Sequence, residues 1–200
     1  LDVLKIFEDY DKCERVYYGV QQINEKKKAK ESRIYELSQV NEIPAEISCQ
    51  VPLRHLCNML QVHNGNIDAV IAEFPDVKES QIERLRVRCQ CAWNWVRQYA
   101  PDDFQFSLQT ENDKVQALSA PMLVCIKDLA SEVGNLENLD EKGMAEVIYR
   151  IAHDNEVEPS DFFTTAYKVL IGKEKGPRLA GFILTCGKEK ILSILGRYAG

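Results

Sequence analysis

No apolar run in this 200-residue sequence approaches the roughly 18 consecutive residues that a membrane-crossing helix needs, and no signal-peptide pattern is present. We therefore expect no membrane contact. The chain also has no CxxC pair and no cluster of cysteine with histidine, so we predict no zinc or other metal site. The seven cysteines are odd in number and scattered through apolar patterns, which favours reduced thiols in a cytoplasmic protein over a disulfide framework.

Short motifs that carry catalysis are missing as well. The sequence has no G-x-S-x-G, no P-loop, no G-x-G-x-x-G and no H-E-x-x-H. Its three histidines, His55, His63 and His153, lie far apart and share no pattern. No set of nucleophile, base and orienting group can be assembled, so we predict no catalytic residue. The residues alone indicate a helical binding or interaction module, and because the chain begins with Leu1 rather than Met we expect a piece of a longer protein.

The dominant pattern is a helical periodicity of apolar residues. It predicts an all-α fold, a helical bundle or cage of two packed subdomains at 1–109 and 110–200, with breaks at the proline-containing stretches around Pro44 and Pro101. Residues 33–51 are predicted as an extended linker with room for one or two strands, and 105–109 as a short strand. The helices are predicted at 2–24, 53–62, 67–74, 80–99, 119–133, 141–155, 160–171, 177–186 and 188–198.

Charge is distributed unevenly along the chain. The net charge of −6 weakly disfavours binding to nucleic acid. Residues 171–200, however, hold six basic and two acidic residues, a net charge of +4, which leaves −10 on the other 170 residues. Because the local field decides a contact, a basic terminal segment on an acidic body still allows an RNA interface.

Residues 172–179 combine three features that could bind RNA. Gly172 is a helix stop and Pro177 a helix start, so unpaired backbone N–H groups should lie at this corner. Lys173, Lys175 and Arg178 add full positive charges. The corner is therefore a candidate cradle for phosphates or base edges. The alternative is an ordinary connection between two helices with solubilising lysines.

The predicted helix 80–99 is a second candidate. Arg84, Arg88 and Trp95 line one flank of its apolar stripe, and arginine beside an aromatic ring is typical of single-stranded RNA recognition. The alternative is that the tryptophans simply widen the buried face of the helix. A third, weaker candidate is Arg54-His55 at the start of the predicted helix 53–62, where an ordinary surface contact explains the pair equally well.

Several segments together resemble the C-terminal part of class I lysyl-tRNA synthetases, the type common in archaea and some bacteria. The specific block runs from 145 to 190 and includes AEVIYRIA at 145–152, EPSDFF at 158–163 and GKEKGPRL at 172–179. Supporting segments are YDKCERVYYG at 10–19 and VPLRHL at 51–56, together with WVRQYAP at 95–101. The resemblance therefore covers nearly the whole chain.

The resemblance implies that this piece binds the anticodon arm of lysine tRNA, with 110–200 as the anticodon-binding subdomain and 1–109 as a linker subdomain similar to a stem-contact domain. In that family, ATP and Mg are handled by a Rossmann-fold catalytic domain with HIGH-type and KMSKS-type signatures, and neither signature occurs here. The piece is therefore expected to need no cofactor, to be inactive alone, and to work next to its own catalytic domain in a full-length lysine–tRNA ligase. We expect a cytoplasmic monomer.

The glutamyl-tRNA synthetases end with a similar pattern of glycine, loop, proline, leucine and second glycine, which implies a related anticodon-binding region. Carried over, the positions that contact the anticodon are Tyr167, Gly176, Pro177 and Leu179. Arg178 is not part of that pattern, and its role as a base or phosphate contact is inferred from its charge.

Two other functions remain open. The acidic body of the chain also suits a helical protein–protein interaction scaffold without an RNA role. A fragment of a glutamyl-tRNA synthetase is a third alternative. The lysyl-type block at 172–179 distinguishes this sequence from the glutamyl enzymes.

Overall fold

The computed structural model describes residues 2–135 and 139–198. Within these ranges every regular element is a helix and no strand occurs, so the predicted all-α fold is confirmed. A 3₁₀ turn, Gly196–Tyr198, follows the last of the α-helices. In chain order these are α1 Val3–Tyr17, α2 Glu25–Ser38, α3 Leu53–Val62, α4 Ile67–Ala72, α5 Glu79–Gln98, α6 Ala120–Val133, α7 Glu141–Asp154, α8 Pro159–Ile171, α9 Leu179–Cys186 and α10 Lys188–Leu195.

The chain divides into two compact units, Leu1–Tyr99 and Ala100–Gly200, called the first and second unit below. The functional subdomains predicted at 1–109 and 110–200 stay a prediction. Short polar side chains set several helix starts, because they accept hydrogen bonds from backbone N–H groups that have no partner within the helix. These N-caps are Asp2, Asn24, Asn66 and Asp140.

In the first unit, α1 packs against α2 and α3, while α3 and α4 pack against α5. Tyr35 is fully buried at the centre of a tyrosine cluster, with its ring centroid 5.0 Å from that of Tyr17. Gly65 has φ +80°, and its Cα faces the indole of Trp93 so closely that an added Cβ would lie 2.5 Å from the ring. Glycine is required there for both reasons.

In the second unit, α7 packs against α9, and α10 packs against α6 and α8. The aromatic ring of Phe106 lies edge-on to that of Phe182, with 5.3 Å between the centroids. The core is apolar, because the inner faces of α6 to α9 carry the largest fully buried side chains of this unit: Phe162, Phe182, Ile126, Leu129, Met144, Ile148, Leu170 and Ile183.

The predicted strands are wrong. Residues 33–38 continue α2, and 39–52 form no regular element. Residues 105–109 are also irregular, and Gln109 donates its backbone N–H to the carbonyl of Leu170 at the end of α8 (2.8 Å). An extended segment becomes a strand only when another strand pairs with it, and the described residues offer none. Four predicted helix bounds also change by two residues or more. The helices α1, α4 and α10 end early, at Tyr17, Ala72 and Leu195, and α9 begins at Leu179 rather than Pro177.

Candidate functional site

The corner at 172–179 joins α8 to α9 in the second unit. Gly172 ends α8 in the left-handed conformation, with φ +69°, and donates its N–H to the Lys168 carbonyl (3.1 Å). The side chain of Gln109 covers Gly172 so closely that an added Cβ would lie 2.8 Å from its Nε2. Gly172 therefore fixes the direction in which the chain leaves α8.

Tyr167 on α8 packs against this corner and supports it. Its side chain is 9% exposed, and its hydroxyl donates a hydrogen bond to the Pro177 carbonyl (2.5 Å). Burial raises the pKa of Tyr167, so the phenol stays protonated and keeps this bond at neutral pH. An added Cβ on Gly176 would lie 2.9 Å from the Tyr167 ring. The structure thus brings Tyr167, Gly176 and Pro177 together, with the tyrosine in a supporting position.

Lys173 is already engaged within the second unit. Its half-buried side chain donates from Nζ to the backbone carbonyl of Asp102 (2.5 Å) and to that of Gln105. The ammonium therefore closes the turn after Pro101. Two of the three N–H donors of the ammonium are thus used inside the unit, which gives Lys173 a structural role, and its role as an RNA contact stays a prediction.

Lys175 and Arg178 are the exposed cations of the corner. Among the described residues, neither side chain forms an ion pair or a hydrogen bond. Arg178 lies at the N-cap position of α9, and Gly176 beside it is exposed. Leu179, in contrast, is 2% exposed and packs in the core, so its side chain offers no surface to a base.

A carboxylate lies next to the first turn of α9. An added Cβ on Gly181 would lie 3.2 Å from Oε1 of Glu141, the first residue of α7. This negative charge offsets the positive end of the α9 dipole. An anion at the corner would therefore depend on Lys175 and Arg178 rather than on the helix terminus itself.

Arg88 has a structural position in the first unit. It is 5% exposed, and its guanidinium donates two parallel hydrogen bonds to the Asp11 carboxylate (2.8 Å each) and one to the Val51 carbonyl. Its Nε has no hydrogen-bond acceptor among the described residues, and the guanidinium lies over the ring of Phe7, 5.4 Å from the centroid. A side chain buried and paired in this way offers nothing to RNA, so the RNA-binding role expected for Arg88 loses its support.

The other two residues of this flank keep some exposure. Arg84 lies over the ring of Tyr10 at 5.9 Å and contacts the carboxylate of Glu14 at 3.5 Å. Trp95 is half-buried. It lies seven residues beyond Arg88, about 10 Å along the helix axis. The structure therefore brings Arg84 and Arg88 together around α1, with Trp95 farther along α5.

Sequence reasoning missed the buried polar cluster that holds these arginines. Glu14 is fully buried and accepts hydrogen bonds from the Tyr35 hydroxyl (3.1 Å) and from Nε2 of Gln50 (2.6 Å). Together with Asp11, which pairs with Arg88, it places two carboxylates inside the first unit. The available signal was that Asp11 and Glu14 are three residues apart, on a face of α1 shared with buried apolar residues.

His55 is half-buried on α3, and its ring lies edge-on to Phe74 with 6.4 Å between the centroids. Burial lowers the pKa of His55 below its ordinary value of 6.5. The unfolded chain therefore takes up the proton first as the pH falls. The stability that the neutral ring contributes is fully present above about pH 6.5 and is lost as the pH falls from there through the folded-state pKa.

We accordingly expect the free energy of unfolding to decrease between pH 7.5 and pH 5.5, and His55→Gln to make this decrease smaller. Urea unfolding at pH 7.5 and at pH 5.5 measures this decrease in the free energy of unfolding for the unmodified chain and for the variant. His153→Gln is the matched control, because that side chain is highly exposed. An equal decrease in the free energy of unfolding for His55→Gln and the unmodified chain would show that His55 is not its cause.

In the described part of the chain, no group of three or more His, Cys, Asp or Glu side chains is placed to hold a metal ion. All seven cysteines are free thiols, and Cys91 on α5 is the exposed one. None of the described helices is both long and apolar enough to cross a membrane.

Comparison with known proteins identifies relatives over nearly the whole chain, although no family model matches. The chain is 46% identical to a lysine–tRNA ligase of Treponema pallidum over 99% of its length. It is 42% identical to that of Borreliella burgdorferi over 99% of its length, and 28% identical to that of Thermococcus kodakarensis over 98%. The chain spans about 38% of the length of each of these relatives. The chain is therefore homologous to one part of these lysine–tRNA ligases.

Proposed function

We propose that this chain is the helical tRNA-binding part of a class I lysine–tRNA ligase and that it holds the anticodon arm of lysine tRNA. The observation that carries the proposal is the 46% identity to a lysine–tRNA ligase over 99% of the chain, combined with an all-helical structure that lacks catalytic motifs. We also propose that this helical region is related to the anticodon-binding region of the glutamyl-tRNA synthetases.

The corner at 172–179 is the proposed contact with the anticodon. Lys175 and Arg178 supply accessible positive charge, and the exposed backbone at Gly176 lets a nucleotide approach closely. Tyr167 and Pro177 support this loop through their hydrogen bond, while Lys173 and Leu179 fix its two ends. Arg84 and Trp95 are a second, weaker proposed contact through stacking.

The rest of the reaction is proposed to lie outside this chain. Lysine activation with ATP and Mg belongs to the catalytic domain of the full-length ligase, which is this chain's proposed partner within one polypeptide. We propose a monomer in the cytoplasm, and the seven free cysteines support a reducing compartment.

A protein–protein scaffold is the second candidate function. It is favoured by exposed apolar side chains on α2 and two residues beyond its end, namely Ile34, Leu37 and Val40. Salt dependence separates the two functions, because RNA binding through phosphates weakens steeply as salt rises. Filter binding of the chain to lysine tRNA at increasing salt therefore tests the proposal directly, and no saturable binding at low salt would reject it.

The central prediction concerns Arg178 and Lys175. If Arg178 pairs with a base edge, Arg178→Ala weakens binding of lysine tRNA by about 1–3 kcal/mol and reduces discrimination against a tRNA with a changed anticodon. Lys175→Ala is expected to weaken all RNAs equally and to lower the salt slope by roughly one unit or less. Filter binding with both tRNAs measures these effects.

Lys142→Ala is the matched control, because Lys142 is an exposed cation on α7 in the same unit. It should leave both affinities unchanged. If Arg178→Ala keeps the discrimination intact, Arg178 does not contact a base. If the Lys175→Ala and Arg178→Ala double variant binds like the Lys142→Ala control, the corner is structural and the flank of α5 becomes the leading site.

A further inference from the structure

An apolar groove runs between α1 and α5 in the first unit, and of its lining residues only Arg84 belongs to the weaker of the two proposed RNA contacts. Its volume is about 350 Å³. Ile6 and Phe7 line it from α1, and Val87 and Cys91 line it from α5. Ile6 is 46% exposed and Val87 is 47% exposed, and the thiol-bearing residue Cys91 is exposed as well. Apolar side chains that face each other across an open groove are typical of an interaction surface.

The charged groups around this groove limit what can bind. Arg84 and Arg88 reach it, but their guanidinium groups already contact Tyr10, Glu14 and Asp11. A small polar ligand would therefore find few free partners to orient it. The exposed face of α1 also carries the carboxylate of Glu8, while Asp9 is paired with Lys5 at 2.7 Å, so this face offers a phosphate backbone no net positive charge. The chemistry fits apolar protein side chains.

We propose that the groove is the docking surface for the catalytic part of the full-length ligase. This inference rests on the proposed function, and specifically on this chain being joined to such a part. The chain spans 38% of its relatives and corresponds to their C-terminal region, so in them further residues precede α1. The groove includes Ile6, three residues after α1 begins at Val3, which is about 4.5 Å along the helix axis.

This short distance makes the preceding part the favoured occupant. A domain tethered next to the groove is present at a local concentration on the order of millimolar, so modest apolar contacts suffice to keep it docked. A second copy of the chain fits less well, because a two-fold interface needs a patch that is complementary to itself, and a concave groove meeting its own copy leaves a void.

Cys91 reports whether the groove is covered. A covered thiol reacts slowly with an alkylating reagent, because both access and ionisation are reduced. We expect Cys91 to be alkylated at least about tenfold more slowly in the full-length protein than in the 200-residue chain, with the modified residue identified by mass spectrometry. Equal rates in the two proteins would overturn the proposal.

Charge substitutions in the groove provide a second test of the docking proposal. Val87→Glu in the full-length protein should raise the Cys91 rate towards that of the 200-residue chain carrying the same substitution, because a carboxylate resists burial against apolar side chains. Comparison at equal substitution removes the direct effect of the new charge on the thiol. Ile6→Glu, on the opposite wall, should do the same and covers the case in which one variant folds poorly. Val124→Glu is the matched control, since Val124 is a half-exposed valine on α6 in the second unit. If the control raises the rate equally, the effect is not local and the proposal fails.

The other occupants give distinct results. Protection of Cys91 in the 200-residue chain that grows with protein concentration would identify a second copy, and protection that appears only with added tRNA would identify RNA. Either result overturns the docking proposal. Binding of lysine tRNA is measured separately on the same samples. A chain that binds tRNA but leaves Cys91 equally reactive retains the proposed function and loses only the docking surface.

Discussion

Arg88→Ala is expected to lower the free energy of unfolding of the first unit by about 3–5 kcal/mol, because it leaves the buried carboxylate of Asp11 without its cation. The pair is joined by two 2.8 Å hydrogen bonds, and the Asp11 and Arg88 side chains are both almost completely buried. Urea unfolding followed by tryptophan fluorescence measures the loss, since both tryptophans, Trp93 and Trp95, lie on α5 in the same unit.

Arg86→Ala is the matched control on the same helix. Arg86 pairs with Asp68 at the same distance of 2.8 Å, but the Asp68 side chain is 81% exposed, so its loss should cost less than about 1 kcal/mol. Replacing both charges, Asp11→Leu with Arg88→Met, should recover much of the lost stability, because no unpaired charge then stays buried. If Arg88→Ala costs no more than Arg86→Ala, Arg88 is free to serve as a surface contact.

The case of Arg88 shows why helix patterns predicted the fold better than the site. The spacing of apolar residues located α5 to within one residue at each end, and α3 at both ends. The same spacing put Arg88 on a flank with Arg84, where arginine is normally solvated. Its partner Asp11 lies 77 residues earlier in the chain, and a pairing at that separation leaves no local pattern.

The apolar spacing does not predict α2, although a helix forms there. Of its described residues only Tyr35 is buried, so α2 has almost no apolar stripe. It forms nevertheless, because Asn24 caps it and α1 packs along it. Most helical stability in proteins comes from such tertiary packing rather than from local preference, and a single sequence does not display its packing partners.

The sequence predicts the corner at 172–179 between two helices, and the structure has it there. Which of its side chains are buried and which are exposed differs from the expectation. The pattern of glycine, lysine, proline and arginine marks a turn, and Gly172 does end α8. Which side chains face outward depends on where α9 begins. Its start at Leu179 rather than Pro177 turns Leu179 into the core and leaves Arg178 exposed.

Leu179→Ala should therefore act on stability before it acts on RNA. Because the side chain is 2% exposed, we expect the substitution to lower the free energy of unfolding of the second unit by about 2–5 kcal/mol through the cavity it leaves. Leu179→Met keeps the volume and should cost less than about 1.5 kcal/mol. Urea unfolding followed by circular dichroism, with hydrogen exchange to assign the loss to α6–α10, measures both variants.

Filter binding of lysine tRNA to the same two variants separates packing from recognition. A buried leucine that only fixes the start of α9 predicts that Leu179→Met binds tRNA like the unmodified chain, since Arg178 keeps its position. A leucine that touches a base predicts the reverse, with Leu179→Ala as stable as the unmodified chain but weaker in binding. The second pattern would return Leu179 to the anticodon contact and would require the start of α9 to rearrange when tRNA binds.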